Sequence, residues 1–334
     1  MIDLIPVSGR DQDPVGAARF DAWADVYAAA TAAVMGPVND AWSATELRAM
    51  EGGDQAPRRR VAAVEDGRVV GGGDVRLPHL EDTDVAEIYL AVLPAEQGRG
   101  IGSALFAWGD AVAADAGRTT LTTGTAYPDG VVDPAAAFLE RHGYAVAQRH
   151  LRSDLALPAR PLVAAPAWEG DGYTILTAVD EIPDAWLAGR AELGAAMSTD
   201  VPQGDLVRDE QVWDADRIRG EVERARAMDR RFIEAVARHD ASGRLVAFTH
   251  VECPSGEAGE TAFQHDTLVV AAHRGHGLGL RVKAAATSVA EREWPGARRI
   301  RTWNAVENTP MLAVNRDLGY AVTGHLTDWV KRRA

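Results

Sequence analysis

Hydrophobic and polar positions along this chain fall into two patterns, one close to the helical period and one of short apolar runs bounded by turn residues. Pro14 to Met35 keeps the helical rhythm and opens on a proline, which suits a first helical turn. Arg59 to Val75 instead sets two short apolar runs on either side of Asp66-Gly67 and predicts two strands around that turn. An apolar strand through Leu90 and Val92 follows, then a glycine-rich loop and a helix with the stripe Ile101, Leu105, Trp108 and Val112. A strand at Thr119 to Thr125, a short helix ending at Gly143 and a last strand from Tyr144 close the series.

The series then runs again. Glu181 to Met197 and Asp214 to Met228 read as helices, and Arg231 to His239 and Arg244 to Val251 as strands around Asp240-Ala241-Ser242-Gly243. An apolar strand, a glycine loop and a helix striped by Leu278, Val282, Ala285 and Val289 come next. A strand at Arg299 to Val306, a short helix ending at Gly319 and a strand from Tyr320 finish the copy. Gln97, Gly100 and Gly102 match Arg274, Gly277 and Gly279 at one constant offset, and Gly143-Tyr144 matches Gly319-Tyr320 within a residue of it. Two markers in the same order mean a duplicated domain, and the period is far too long for a solenoid. Pro158, Pro161 and Pro166 oppose both helix and sheet and mark a linker. The expectation is an α/β protein with one domain over residues 1–160 and a second over 161–334. With 334 residues, each half is long enough to bury its own core.

The glycine loops carry the chemistry. A strand running into Gly-x-Gly and a helix presents free backbone N–H groups at a helix N-terminus, where the dipole also favours an anion. A dinucleotide fingerprint needs a third glycine at positions 103 and 280, but Ser103 and Leu280 stand there. A Walker loop needs Gly-Lys-Ser/Thr, which follows neither loop. What remains is Gln/Arg-x-x-Gly-x-Gly, with Gln97, Gly98, Arg99, Gly100, Ile101, Gly102 and Ser103 in one copy, and Arg274, Gly275, His276, Gly277, Leu278, Gly279 and Leu280 in the other.

That pattern resembles the acetyl-CoA pyrophosphate loop of the GCN5-related N-acetyltransferase (GNAT) family. A second marker of that family, Asn-x-x-Ala-x-x-x-Tyr-x-x-x-Gly-Phe/Tyr, is partly kept: Asn308 holds the asparagine position, Asn315 the tyrosine position, and Asn304 lies just before them. The first copy has Val132 and Leu139 at those places. The tandem layout is similar to that of mycothiol synthase, in which the C-terminal copy is the active one. The resemblance implies two tandem GNAT domains, each a mixed, mostly antiparallel sheet flanked by helices, and N-acyl transfer from acetyl-CoA to a small-molecule amine. It implies that a splayed fourth strand pairs its backbone with the pantetheine, around Val92 in the first copy and around Leu268 and Val270 in the second.

The family commonly uses a carboxylate or a water chain as base and a tyrosine to protonate the leaving thiolate. Glu87 stands on the fourth strand where a base is often found, and a solvated carboxylate is its alternative reading. The matching residue of the second copy is Gln264, which takes no proton, so Asp266 is the candidate there; by simple alternation it shares a strand face with Gln264. A hydrogen-bonding or capping role is the alternative for Asp266. The second copy is favoured as the active one for Arg274, Asn308 and Asn315, although Glu87 points to the first. A non-catalytic acyl-CoA-binding or sensing protein is the reading from another class.

Composition narrows the partners. With 35 basic against 49 acidic residues the formal charge is −14, which repels phosphate backbones and disfavours nucleic acid. No stretch approaches the ~20 uninterrupted apolar residues of a membrane span, and the N-terminus lacks an export pattern. The lone Cys253 reads as a buried thiol in a reducing cytoplasm. His273 and His276 lack the companions of a zinc site, so no metal is expected. The assembly expected is a monomer or homodimer.

Overall fold

The computed structural model describes residues 2–51, 56–159, 170–200, 202–206 and 208–333, with the backbone alone at 257 and 258. The boundary expected between 160 and 161 and most of the proline linker fall in 160–169, outside the described residues. The chain forms two compact units. Unit 1 is Met1–Arg149, Gly204–Arg208 and His325–Ala334; unit 2 is His150–Gln203 and Asp209–Gly324.

Unit 1 holds β1 (Asp3–Pro6), α1 (Pro14–Met35), α2 (Ala44–Ala49), β2 (Arg58–Glu65), β3 (Arg68–Arg76), β4 (Val85–Val92), α3 (Ile101–Asp115), β5 (Thr120–Pro128), α4 (Ala136–Arg141) and the start of β6 (Ala145–Ala156). Unit 2 takes the rest of β6 and adds β7 (Tyr173–Val179), α5 (Asp184–Asp200), α6 (Ala215–Ala227), β8 (Arg230–His239), β9 (Leu245–Pro254), β10 (Thr261–Val269), α7 (Leu278–Glu293), β11 (Arg299–Ala305) and α8 (Thr309–Leu318). The last strand, β12 (Ala321–Arg332), returns to unit 1 from His325 onward. The strand order is β1-β2-β3-β4-β5-β12 in unit 1 and β6-β11-β10-β9-β8-β7 in unit 2. Most strand pairs in each unit are antiparallel, with β4–β5 and β10–β11 parallel.

Local chemistry explains the elements. Asp13 caps α1 by accepting from the N–H groups of Val15 and Gly16 at 3.0 and 2.9 Å. Asp66 and Gly67 both take positive φ, as a two-residue hairpin between β2 and β3 requires. The three glycines of β3 are intrinsically poor strand formers, yet each makes room for a helix. A Cβ on Gly72 would lie 2.6 Å from the Trp23 indole nitrogen of α1, and one on Gly73 would lie 2.9 Å from Trp108 of α3. The glycines thus let α1 and α3 close on opposite faces of one strand. In unit 2, Val282, Ala286, Val289 and Ala290 of α7 pack on Ile233, Ala235, Ala247 and Val251. The other face of that sheet carries Leu193 of α5 against Val236, Phe248 and Leu268.

Apart from the assignment of β6 beyond Arg149 to unit 2 and of β12 from His325 to unit 1, the differences from the sequence reading are small elements. The strands β1 and β7 and the six-residue α2 are additional to the elements expected from the sequence. Cys253 is buried, and burial pushes its thiol up to about 11. Among the described residues no helix is long and apolar enough to cross a membrane, and no group of three metal-ligating side chains forms.

Candidate functional site

In each unit the parallel strand pair opens after three residues. Val85, Ala86 and Glu87 pair with Thr120, Leu121 and Thr122, after which β4 and β5 continue without shared register. Thr261, Ala262 and Phe263 pair with Arg299, Ile300 and Arg301 before β10 and β11 separate in the same way. Past the fork, β4 and β10 each keep one hydrogen-bonded neighbour, so half of their backbone groups face the opening. Leu93 N–H donates to Val70 and Val270 N–H to Val246, 3.0 and 2.9 Å, both toward the paired neighbour. The donors aimed into the fork are therefore those one residue earlier, Val92 and Val269. In the second copy this donor lies between Leu268 and Val270, the stretch expected to run along the pantetheine.

The glycine loops lie at the ends of these strands. Gly98, Gly100, Gly275 and Gly277 all take φ between +66° and +85°, and a Cβ on any of them would meet nothing within 4 Å. Positive φ accounts for glycine there, and the open space leaves the backbone approachable. Neither Gly100 nor Gly277 supplies a side chain to cap its helix, so the first N–H groups of α3 and α7 stay available to an anion. Gly102 and Gly279 are different: a Cβ there would touch Phe138 at 3.5 Å or Val269 at 3.7 Å, an ordinary contact. Gln97 donates to the Val92 carbonyl at 3.4 Å, and Arg274 to that of Val269 at 3.1 Å, so the first loop residue folds back in both copies. Arg274 also pairs with Asp200, and Arg99 with Glu65 and Glu96. His276 packs its ring on Tyr173, 5.1 Å between centroids.

The fourth strands differ. β4 pairs with β3 without interruption from Glu87 to Val92. In β10 the register against β9 shifts between Gln264 and Thr267, so His265 and Asp266 together oppose His250. This bulge breaks the alternation expected from sequence. Gln264 is buried and donates to Thr249 Oγ1 and the His250 carbonyl, 2.7 and 2.8 Å, whereas Asp266 is exposed. Asp266 and Gln264 do not share an environment.

Beside the bulge lies a charged chain the sequence reading missed. Glu234 on β8 is fully buried and pairs with Arg190 of α5 and with His250 Nδ1 at 2.8 Å. His250 Nε2 lies 3.2 Å from Glu252 on β9, which Arg230 also reaches at 3.2 Å. Glu252 lies 3.5 Å from His265 Nε2. Burial opposes the charged His250, but Glu234 and Glu252 push it up to about 10. Burial likewise opposes the Glu252 carboxylate, and His265 and His250 pull it far below the usual range. The signal was present in the sequence: Glu234 interrupts an apolar run, and an unpaired charge there would be costly.

A second polar chain crosses α7 and α8. Lys283 is buried, donates to Asn315 Oδ1 at 2.7 Å and lies over the Tyr320 ring at 4.9 Å. Burial lowers its ammonium to about 7. Asn315 in turn donates to Asn304 Oδ1 at 2.6 Å. Asn308 accepts from Met311 N–H at 3.3 Å and caps α8. In unit 1 the matching places hold Phe106, Leu139 and Tyr144, one apolar cluster with Phe106 and Tyr144 edge to face at 5.3 Å. Glu87 of unit 1 pairs with Arg76 at 2.5 Å and borders a cleft of about 190 Å³ shared with Asp82, Asp84 and Arg332.

Comparison with known proteins places these features. Residues 57–146 match the model of an acetyltransferase (GNAT) domain. A tandem GNAT protein from the clavulanic acid biosynthesis pathway is 27% identical with a TM-score of 0.79, covering 99% of this chain and 98% of that one. A GCN5-related N-acetyltransferase from Sphaerobacter thermophilus (20% identity, TM-score 0.68, 98% and 95% coverage) shares the fold. So does a putative acetyltransferase from Pyrococcus horikoshii (12%, 0.58, 100% and 90%). No curated protein matches the chain by sequence.

Proposed function

Because this chain is an acyltransferase of the GNAT family, built as a tandem of two such domains, we propose that its second unit transfers the acetyl group of acetyl-CoA to the amine of a small molecule. The observation that carries this reading is a coincidence in unit 2. An open glycine loop, a bulged strand at a fork and a buried polar chain lie together there, while unit 1 has the loop and fork with an unbulged strand and apolar packing.

Each part has a task in this reading. The loop from Arg274 to Leu280 offers N–H groups to the pyrophosphate, and Gly275 and Gly277 leave room for it. The backbone from Leu268 to Val270 runs along the pantetheine, with the Val269 N–H turned toward the acetyl oxygen. Acetyl-CoA supplies the activated acyl group as a thioester. Asn315, held between Lys283 and Asn304, offers its amide to the pantetheine arm. Asn308 shapes the start of α8 beneath them. The exposed Asp266 marks where a cationic amine arrives, and the formal charge of −14 favours that approach. The loop of unit 1, Gln97 to Ser103 beside Val92, is a second place for the same pyrophosphate, with Glu87 as its nearest carboxylate.

The test is CoA release from acetyl-CoA by the full chain with ethanolamine, spermidine, glucosamine and lysine. The expected result is turnover that depends on an amine. Acetyl-CoA binding with no amine-dependent release would count against transfer and favour a sensing role.

A further inference from the structure

We propose that His265 is the base that takes the amine's proton in unit 2, and that Glu252 orients it for that task. This rests on the reading that unit 2 carries the transfer. The geometry begins with the bulge: two residues of β10 stand opposite one of β9, and His265 is turned toward Glu252, 3.5 Å away at Nε2. Attraction to the carboxylate facing Nε2 across 3.5 Å favours the proton on that nitrogen and leaves Nδ1 as the acceptor. Residue 265 stands two positions past the last parallel pair, Phe263 with Arg301, at the mouth of the fork.

The rest of the chain explains why Glu252 is fit to orient it. Arg230 of β8 and His250 of β9 both contact Glu252, and Arg190 of α5 with His250 neutralises Glu234. These four groups, with Asp266 next in β10, are the charged neighbours of the His265–Glu252 pair. His250 is 18% exposed at its side chain and held between two carboxylates; His265 is 38% exposed and touches only the outer one. His250 is thus a fixed cation, and His265 is the member able to exchange a proton with a substrate. Asp266 is exposed without a comparable anchor in this chain of contacts, so it guides the amine and does not act as the aimed acceptor.

The step balances as follows. The amine, having first lost its ammonium proton to solvent, bonds through nitrogen to the acetyl carbonyl carbon and gives a second proton to His265 Nδ1. The carbon–sulfur bond breaks, the electron pair leaves with sulfur, and the CoA thiolate takes a proton from water. His265 returns its proton to solvent.

Two measurements on the full chain decide the matter. Ring-nitrogen NMR of the histidines, with and without acetyl-CoA, should show His265 protonated at Nε2 and shifted by acetyl-CoA. In Glu252→Gln that tautomer preference should weaken. Where an amine supports turnover, His265→Gln should lower kcat about 10²–10³-fold with acetyl-CoA affinity within about twofold. Glu252→Gln should lower it about tenfold and displace the acidic limb of the pH profile. Opposite protonation of the ring, resonances that ignore bound acetyl-CoA, or a His265→Gln variant with full kcat would each overturn the assignment while leaving unit 2 as the site. Loss of no affinity in Gly277→Glu would instead remove the reading beneath it.

Discussion

Phe106, Leu139 and Tyr144 of unit 1 and Lys283, Asn315 and Tyr320 of unit 2 occupy matching places between a long helix and the short helix after the fifth strand. One copy fills the place with apolar side chains and an edge-to-face ring pair. The other buries an amine that donates its hydrogen bond to an amide. Burying a cation without a counter-charge is costly, which is why the Lys283 ammonium falls to about 7. A fold that can be packed with phenylalanine and leucine has no structural need for that amine. The difference teaches that unit 1 fills this place with apolar packing, whereas unit 2 holds a destabilising group there, a common mark of a functional site.

The comparison can be broken most sharply at the two loops. Gly277→Glu, placing a carboxylate where φ is positive and an anion is expected, should lower acetyl-CoA affinity by about 100-fold or more. Gly100→Glu should lower it by less than about threefold. Titration calorimetry on both variants, with folding checked by circular dichroism, reads the contrast; the reverse ranking would move the main site to unit 1.

Next in size is an exchange of the buried polar chain. Lys283→Met with Asn315→Leu should raise the melting temperature at pH 7 and reduce turnover. Leu139→Asn, which buries an amide among apolar side chains, should destabilise unit 1 by about 1–3 kcal/mol. The pH dependence follows from Lys283. Its folded value is depressed, so the unfolded chain binds more protons between about 7 and the ordinary lysine value near 10.4. The penalty, on the order of 4 kcal/mol, is complete below pH 7 and fades as pH rises through that window. The melting gap between variant and wild type should therefore narrow from pH 7 to pH 10. A constant gap would mean that Lys283 does not titrate as a buried amine. The smallest effect belongs to Glu87→Gln, which breaks a partly exposed ion pair with Arg76 and should change turnover less than about twofold. A larger loss would make unit 1 a working site.

Much of this architecture is legible in the sequence. The offset between Gln97–Gly102 and Arg274–Gly279 reveals the duplication, because glycine is demanded wherever φ turns positive and a backbone must stay open. Pro14 and Asp13 place the start of α1 to the residue. The bulge at His265 and Asp266 is not legible, since a one-residue register shift is set by pairing with β9 and leaves the local pattern unchanged. The Glu234–His250–Glu252–His265 chain escapes for the same reason: its members come from three strands and meet only once the sheet exists.

The return of β12 to unit 1 has a consequence for how the chain is made. Tyr127 meets Thr327 at 3.2 Å across 200 residues of sequence, and Trp329 donates to Thr125 at 2.9 Å. During synthesis the first sheet therefore emerges with the place beside β5 still vacant, and every residue of unit 2 leaves the ribosome before the missing strand does. Vectorial folding, in which an early domain closes before a later one begins, is unavailable to this chain. The exposed edge of β5 must wait, and a nascent chain stalled in the second copy would present it to any neighbouring strand.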